Sequence, residues 1–155
     1  MYGSSSTFDK LNFFVKAIIY SDVNQQQLSH NSVSSISLVL EIKGKFRVNC
    51  ELKRHLSPKT VGMISRSMPH KGNVHKFGSS GIYFEIQIAS GVERSRNEFK
   101  KGDIAFYPVA NYICFFYADT KNGKSMTPIG KILTGIDELE QATIGDEVLF
   151  YDDIG

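Results

Sequence analysis

Ile36, Leu38, Leu40 and Ile42 alternate with Ser37, Val39 and Glu41, and Phe46, Val48, Cys50 and Leu52 alternate with Arg47, Asn49 and Glu51. A period of two sends successive side chains to opposite faces of a strand. Lys43-Gly44-Lys45 separates the two runs, so the pattern predicts a β-hairpin with one buried face. The alternation returns further on, with Ile82, Phe84, Ile86 and Ile88 against Tyr83, Glu85 and Gln87. It predicts Phe84 and Ile86 inside and Glu85 outside, because a slip of one residue would turn every apolar side chain outward. Lys101-Gly102-Asp103 reads as a turn before a strand at Ile104 to Tyr107. Tyr112 to Tyr117 is a nearly continuous apolar and aromatic run, as expected of a central strand covered on both faces. Lys121-Asn122-Gly123-Lys124 reads as a turn, Ile129 to Leu133 as a strand, and Val148 with Phe150 as a closing strand.

Two short helices interrupt the strands. Ser57 is a good N-cap residue and Pro58 suits the first helical position, with Val61, Ile64 and Met68 following at helical spacing. Met68-Pro69 ends that helix, since the residue before proline is pushed out of the helical region. Ile136, Leu139 and Glu140 mark a second helix whose first turn carries acids that suit the helix dipole. Gly72 to Gly81 reads as a Gly- and Ser-rich loop. Seven to eight strands with two short helices predict a mainly β domain that closes into a barrel or packs as a sandwich.

The first 35 residues differ from the rest. Ser4-Ser5-Ser6-Thr7 is a polar start, and Gln25 to Ser35 is rich in Gln, Ser and Asn, as in flexible linkers. Between them, Phe8, Leu11, Val15 and Ile18 fit helical spacing, while Phe13 to Ile19 also fits a short strand; both readings stand. The expected division is an N-terminal extension and linker at 1–35 and one domain at 36–155.

Composition narrows the function classes. At 155 residues, with 41% hydrophobic and 22% charged, the chain is an ordinary globular length and mixture. Its net charge is only +2, and its basic residues are interleaved with acids, so nucleic acid is not an expected partner. The apolar run Phe13 to Tyr20 is interrupted by Lys16 and far shorter than the roughly 20 residues that span a bilayer, so no membrane is expected and the cytoplasm is the default. Cys50 and Cys114 lie in strand-like runs and read as buried thiols, with a disulfide between them left open. His30, His55, His70 and His75 lack a ligand pattern and read as surface loop residues; no metal or cofactor is expected. Asp137-Glu138 and Asp152-Asp153 read as a helix start and a polar terminus rather than paired catalytic acids.

Three stretches carry a family resemblance. Gly44 to Leu52 followed by Pro58-Lys59-Thr60 looks like the opening of a cyclophilin. Asn111 to Ala118 is similar to the apolar strand that walls the cyclophilin groove, and Pro128 to Leu139 resembles the strand, Gly-Lys and helix segment near the cyclophilin C-terminus. Ile82 to Ile86, Gly102 to Pro108 and Thr127 to Lys131 together resemble a family of small archaeal and bacterial cyclophilin-like proteins of unknown function. The resemblance covers about three-quarters of the chain. It implies a closed cyclophilin-like β-barrel of about eight strands with two short helices.

The resemblance also implies a groove on the outer face of the Ile82 to Ile88 strand. Tyr83, Glu85, Gln87, Tyr107, Pro108 and Asn111 are its expected lining, and the expected occupant is a peptide or small molecule. Active cyclophilins place an arginine on that face to assist rotation about the prolyl bond. Here Glu85 falls at or next to its place, and the groove tryptophan of many cyclophilins has no counterpart. A carboxylate accepts hydrogen bonds and cannot donate them. The expected function is a binding module with weak or no prolyl isomerase activity and no assigned catalytic residue. The alternative is a genuine isomerase using another donor, Asn111 or Tyr107. A subunit of an amide-hydrolysing assembly is a third reading, by fold analogy alone.

Overall fold

The computed structural model describes residues 34–153, so the extension read above lies outside the described residues up to position 33, His30 included. Among the described residues ten strands, one α-helix and one 3-10 helix follow one another. They are β1 (Ser35–Ile42), β2 (Phe46–Lys53), α1 (Pro58–Arg66), β3 (His70–Asn73), β4 (His75–Phe77), β5 (Gly81–Glu85), β6 (Arg96–Phe99), β7 (Asp103–Tyr107), β8 (Tyr112–Phe116), β9 (Thr120–Ile132), the 3-10 helix (Ile136–Gln141) and β10 (Glu147–Asp152). Ser37–Asp153 cluster into one unit. The mainly β expectation and the two short helices stand.

The strands form one hydrogen-bonded path, β3-β10-β1-β2-β9-β7-β8-β5-β4, with β6 pairing to β9 off that path. The described residues form ten strands rather than the expected eight, and among them no ladder joins the two ends. The sheet curls instead until β3 packs against β5. A Cβ added at Gly72 on β3 would lie 2.9 Å from the Phe84 ring and 3.4 Å from the Glu85 carbonyl oxygen. Around this seam the inward faces bury an aromatic knot. Phe84 stacks on Phe115 at 6.0 Å, and Phe150 meets both edge-on at 6.2 and 5.5 Å. Phe84 and Ile86 are buried and Glu85 is exposed, so the alternation gives the correct register on β5.

Gly72 to Gly81 is not a loop. Lys71 and Gly72 pair with Leu149 and Val148 of β10, and His75 to Phe77 pair with Tyr83 to Gly81 of β5 around the Gly78-Ser79-Ser80 turn. A ladder bonds backbone to backbone, so polar side chains do not prevent it. The Lys121 to Lys124 turn is likewise absorbed into β9, where the pairing with β6 shifts register between Lys121 and Met126. The first half of β9 and its partner β6 supply Met126 and Phe99 to a second apolar cluster, with Ala105, Tyr112, Cys114 and Phe116 of β7 and β8. Beneath it, buried Asp103 accepts from the Lys100 N–H at 2.8 Å and pairs with Lys131 and with Arg96, the latter at 3.6 Å.

Helix α1 starts where expected with Ser57 at its N-cap position, but the Ser57 side chain makes no capping hydrogen bond. The Ser57 hydroxyl donates to the Pro128 carbonyl. The Glu93 carboxylate, from the segment after β5, accepts from the Lys59 and Thr60 N–H groups at 3.2 and 3.0 Å and from the Thr60 hydroxyl at 3.1 Å. This satisfies two of the N–H groups that every helix start leaves without intrahelical partners. A hydrogen bond between Ser90 and Thr60 and one from the Glu93 N–H to Thr127 hold the same segment against α1 and β9.

Candidate functional site

β5 sits between β4 and β8, and β8 sits between β5 and β7. Their outward positions therefore form rows across the sheet. Glu85 lies opposite Tyr112, and Tyr112 opposite Tyr107; in the next row His75 lies opposite Tyr83, Tyr83 opposite Cys114, and Cys114 opposite Ala105. Ile86 donates to the Asn111 carbonyl at 2.9 Å, which makes that pair hydrogen-bonded and the adjacent Glu85–Tyr112 pair non-hydrogen-bonded. Side chains approach most closely in non-hydrogen-bonded pairs.

The small side chains Cys114 and Ala105 leave room for the rings to lean together. Tyr83 packs on Tyr112 with centroids 4.1 Å apart, and Tyr107 packs on Tyr112 from the other side at 5.1 Å. His75 stacks on Tyr83 at 5.1 Å and Phe77 meets Tyr83 edge-on at 6.4 Å. The result is one diagonal ladder, His75–Tyr83–Tyr112–Tyr107, crossing four strands. Tyr112 is only 7% exposed, while Tyr83 and Tyr107 are half-buried and Glu85 is exposed beside them. Burial, and after it the neighbouring Cys114, Tyr83 and Tyr107, push the Tyr112 phenol well above its ordinary range. The Lys124 ammonium lies over the Tyr107 ring, 5.7 Å from its centre. Among the described residues no cation pairs with the Glu85 carboxylate.

Of the six expected lining residues, Tyr83, Glu85 and Tyr107 meet on this face. Pro108 and Asn111 bound the β7–β8 turn at its edge. Asn111 holds a left-handed backbone, φ 54°, which asparagine tolerates better than most residues. Gln87 is exposed beyond the end of β5. Tyr112, His75 and Lys124 are members that sequence reasoning misses. Tyr112 sits in a run where every residue is buried, so its outward direction has no period to reveal it.

Other chemistry is already matched internally. His70 is buried, with Nε2 3.1 Å from the Ser67 hydroxyl and 3.2 Å from the Ile64 carbonyl at the end of α1. It and His75 lie on strands, not in a surface loop as expected, because the segment that carries them is strand. Cys50 and Cys114 are free and buried. Among the described residues no three His, Cys, Asp or Glu side chains gather as metal ligands. A shallow depression at Leu133 and Ile136 is flanked by Lys101 and Asp137, which pair with each other at 3.0 Å. Among the described residues no helix is long and apolar enough to cross a membrane.

Comparison with solved structures gives the class of fold. A hypothetical protein from Archaeoglobus fulgidus, solved in solution, matches with a TM-score of 0.66 at 23% identity, covering 81% of this chain and 99% of that one. McbB in complex with tryptophan matches with a TM-score of 0.64 at 14% identity, covering 75% of this chain but only 44% of that one. At such identities the likeness is one of fold. No curated protein matches the chain. The family model described as Cyclophilin-like matches residues 34–151, and the chain belongs to that family.

Proposed function

We propose that the protein is a binding module: a cyclophilin-like barrel, closed through side-chain packing, whose outer groove takes a peptide or small ligand, with little or no prolyl isomerase activity. The observation that carries this reading is the tyrosine ladder with Glu85 at its rim. Tyrosines give a largely apolar wall with polar tips, and a few polar groups at such a wall fix a ligand's orientation. McbB, of which 44% matches this chain in fold, is a protein solved in complex with tryptophan.

Isomerisation asks for something else. Rotation about the amide has a barrier of about 18–20 kcal/mol. A protein lowers it by donating hydrogen bonds where charge develops, and each such donor is worth about 2.7–4 kcal/mol in other enzymes. Glu85 is an acceptor at or next to the place where the family resemblance wants a fixed cationic donor. The test is NMR exchange on an Xaa-Pro peptide with the wild-type chain. The uncatalysed reaction takes roughly tens to hundreds of seconds, so weak catalysis is measurable. The expected result is little or no acceleration. Turnover comparable to an active cyclophilin, abolished by Tyr107→Ala or Asn111→Ala, would establish the isomerase instead.

A further inference from the structure

The electrostatics of the tyrosine face point to one ligand chemistry, an inference that rests on the groove reading above. Three observations converge. Tyr83 and Tyr107, both half-buried, flank the nearly buried Tyr112 at 4.1 and 5.1 Å, so the exposed parts of their rings border one aromatic patch. The exposed Glu85 carboxylate stands directly across from Tyr112 with no cation of the described chain to neutralise it. At the far end of the ladder the chain already lays an ammonium group, that of Lys124, over the Tyr107 ring at 5.7 Å.

Each observation favours positive charge. An aromatic face attracts a cation through its quadrupole. A carboxylate beside that face supplies the counter-charge. Lys124 comes from the irregular stretch of β9 between Lys121 and Met126, where pairing with β6 is interrupted. Its side chain is a displaceable resident, since that stretch is exposed and the contact is long for a cation–π pair. We infer that the groove selects ligands bearing a protonated amine, seated on the exposed parts of Tyr83 and Tyr107 with the ammonium group toward Glu85, and that Lys124 competes for the same surface.

The experiment compares two probes of nearly equal shape on the full chain: benzylammonium and benzyl alcohol. Binding is followed by NMR through the tyrosine ring signals, assigned by Tyr→Phe replacement. Benzylammonium is expected to shift the Tyr83, Tyr107 and Tyr112 signals saturably, at least about tenfold more tightly than the alcohol. Glu85→Gln, at an exposed position, should bring the two probes to within about twofold of each other. Lys124→Met should strengthen the amine several-fold and leave the alcohol unchanged. Equal binding of both probes to the wild type, or an amine preference that survives Glu85→Gln, would overturn the inference while leaving the groove reading intact. If neither probe moves the signals, the inference fails. A parallel screen of uncharged peptides then decides the groove reading: shifts at the same tyrosines sustain it, and none at all refutes both.

Discussion

Glu93→Ala is the perturbation with the most to say about how this chain is held together. The residue caps a helix that begins far from it in sequence. Its replacement deletes three hydrogen bonds, two from the backbone N–H groups of Lys59 and Thr60 and one from the Thr60 hydroxyl. Loss of a helix N-cap costs about 0.5–2 kcal/mol. The carboxylate's attraction to the helix dipole is worth about 0.3–1 kcal/mol and overlaps with the cap. Glu93 is only partly buried, and solvent screening trims the charge contribution further. A loss of about 1–2 kcal/mol is expected, or roughly 4–8 °C in melting temperature at this size. Glu93→Gln keeps an acceptor and loses the charge, so it should cost about half as much. The pH dependence supplies the sharper check. Burial raises the Glu93 carboxyl, but hydrogen bonds from Thr60 and Lys59 and the nearby Arg94 outweigh it and leave the group below its ordinary value. A group lowered on folding contributes stability fully above its unfolded value, about 4.3, and loses that contribution as pH falls through the folded value. Urea unfolding followed by circular dichroism should therefore show a gap between wild type and Glu93→Gln at pH 7 that closes towards pH 3. An unchanged stability for Glu93→Ala at pH 7, or a gap constant across that range, would refute the capping argument.

Gly130→Ala should be far more damaging than its size suggests. The new Cβ would lie 2.1 Å from the Glu51 carbonyl oxygen and 2.9 Å from the Leu52 Cα, both backbone, so β9 must part from β2. A loss of at least about 3 kcal/mol is expected in urea unfolding, and one below about 1 kcal/mol would contradict the β2–β9 register. The two thiols should be silent in the native protein. Burial pushes both Cys50 and Cys114 well above the ordinary thiol range, so little thiolate forms. A chromogenic disulfide reagent at pH 8 should titrate neither thiol before denaturant is added and both afterwards; fast native reaction of either would show that its strand opens.

Much of this architecture is legible in the sequence because a buried face imposes a period. β1, β2 and β5 each bury alternate side chains along one face and leave most of the other face at least partly exposed, which fixes register as well as existence. β6 buries a single residue, Phe99, so no period exists to be read. β3 and β4 are short and polar, and the first half of β9 carries a turn-like Lys-Asn-Gly-Lys. Pairing, not patterning, makes these strands. The candidate site is half visible for the same reason. Tyr83 and Glu85 declare their direction by alternation on β5. Tyr112 joins them only through the β5–β8 register, which no local pattern encodes. The cap on α1 is hidden too, because Ser57 satisfies every local rule while its hydroxyl is drawn to Pro128.

The two ends of the sheet path bear on how the protein behaves in crowded solution. An unpaired strand edge is a template on which another chain can add, and long, flat, apolar edges invite aggregation. Here the terminal strands β3 and β4 are four and three residues long. Each carries a lysine, Lys71 and Lys76. Lys76 is tied by its ammonium to the Glu140 carbonyl at 3.1 Å, which draws the end of the 3-10 helix toward β4. Gly72 lets β3 lie close on Phe84, turning that end into the body of the sheet rather than out to solvent. A sheet left open in its hydrogen bonding thus offers an incoming strand little to grip, so the fold stays discrete without a continuous ring of backbone bonds.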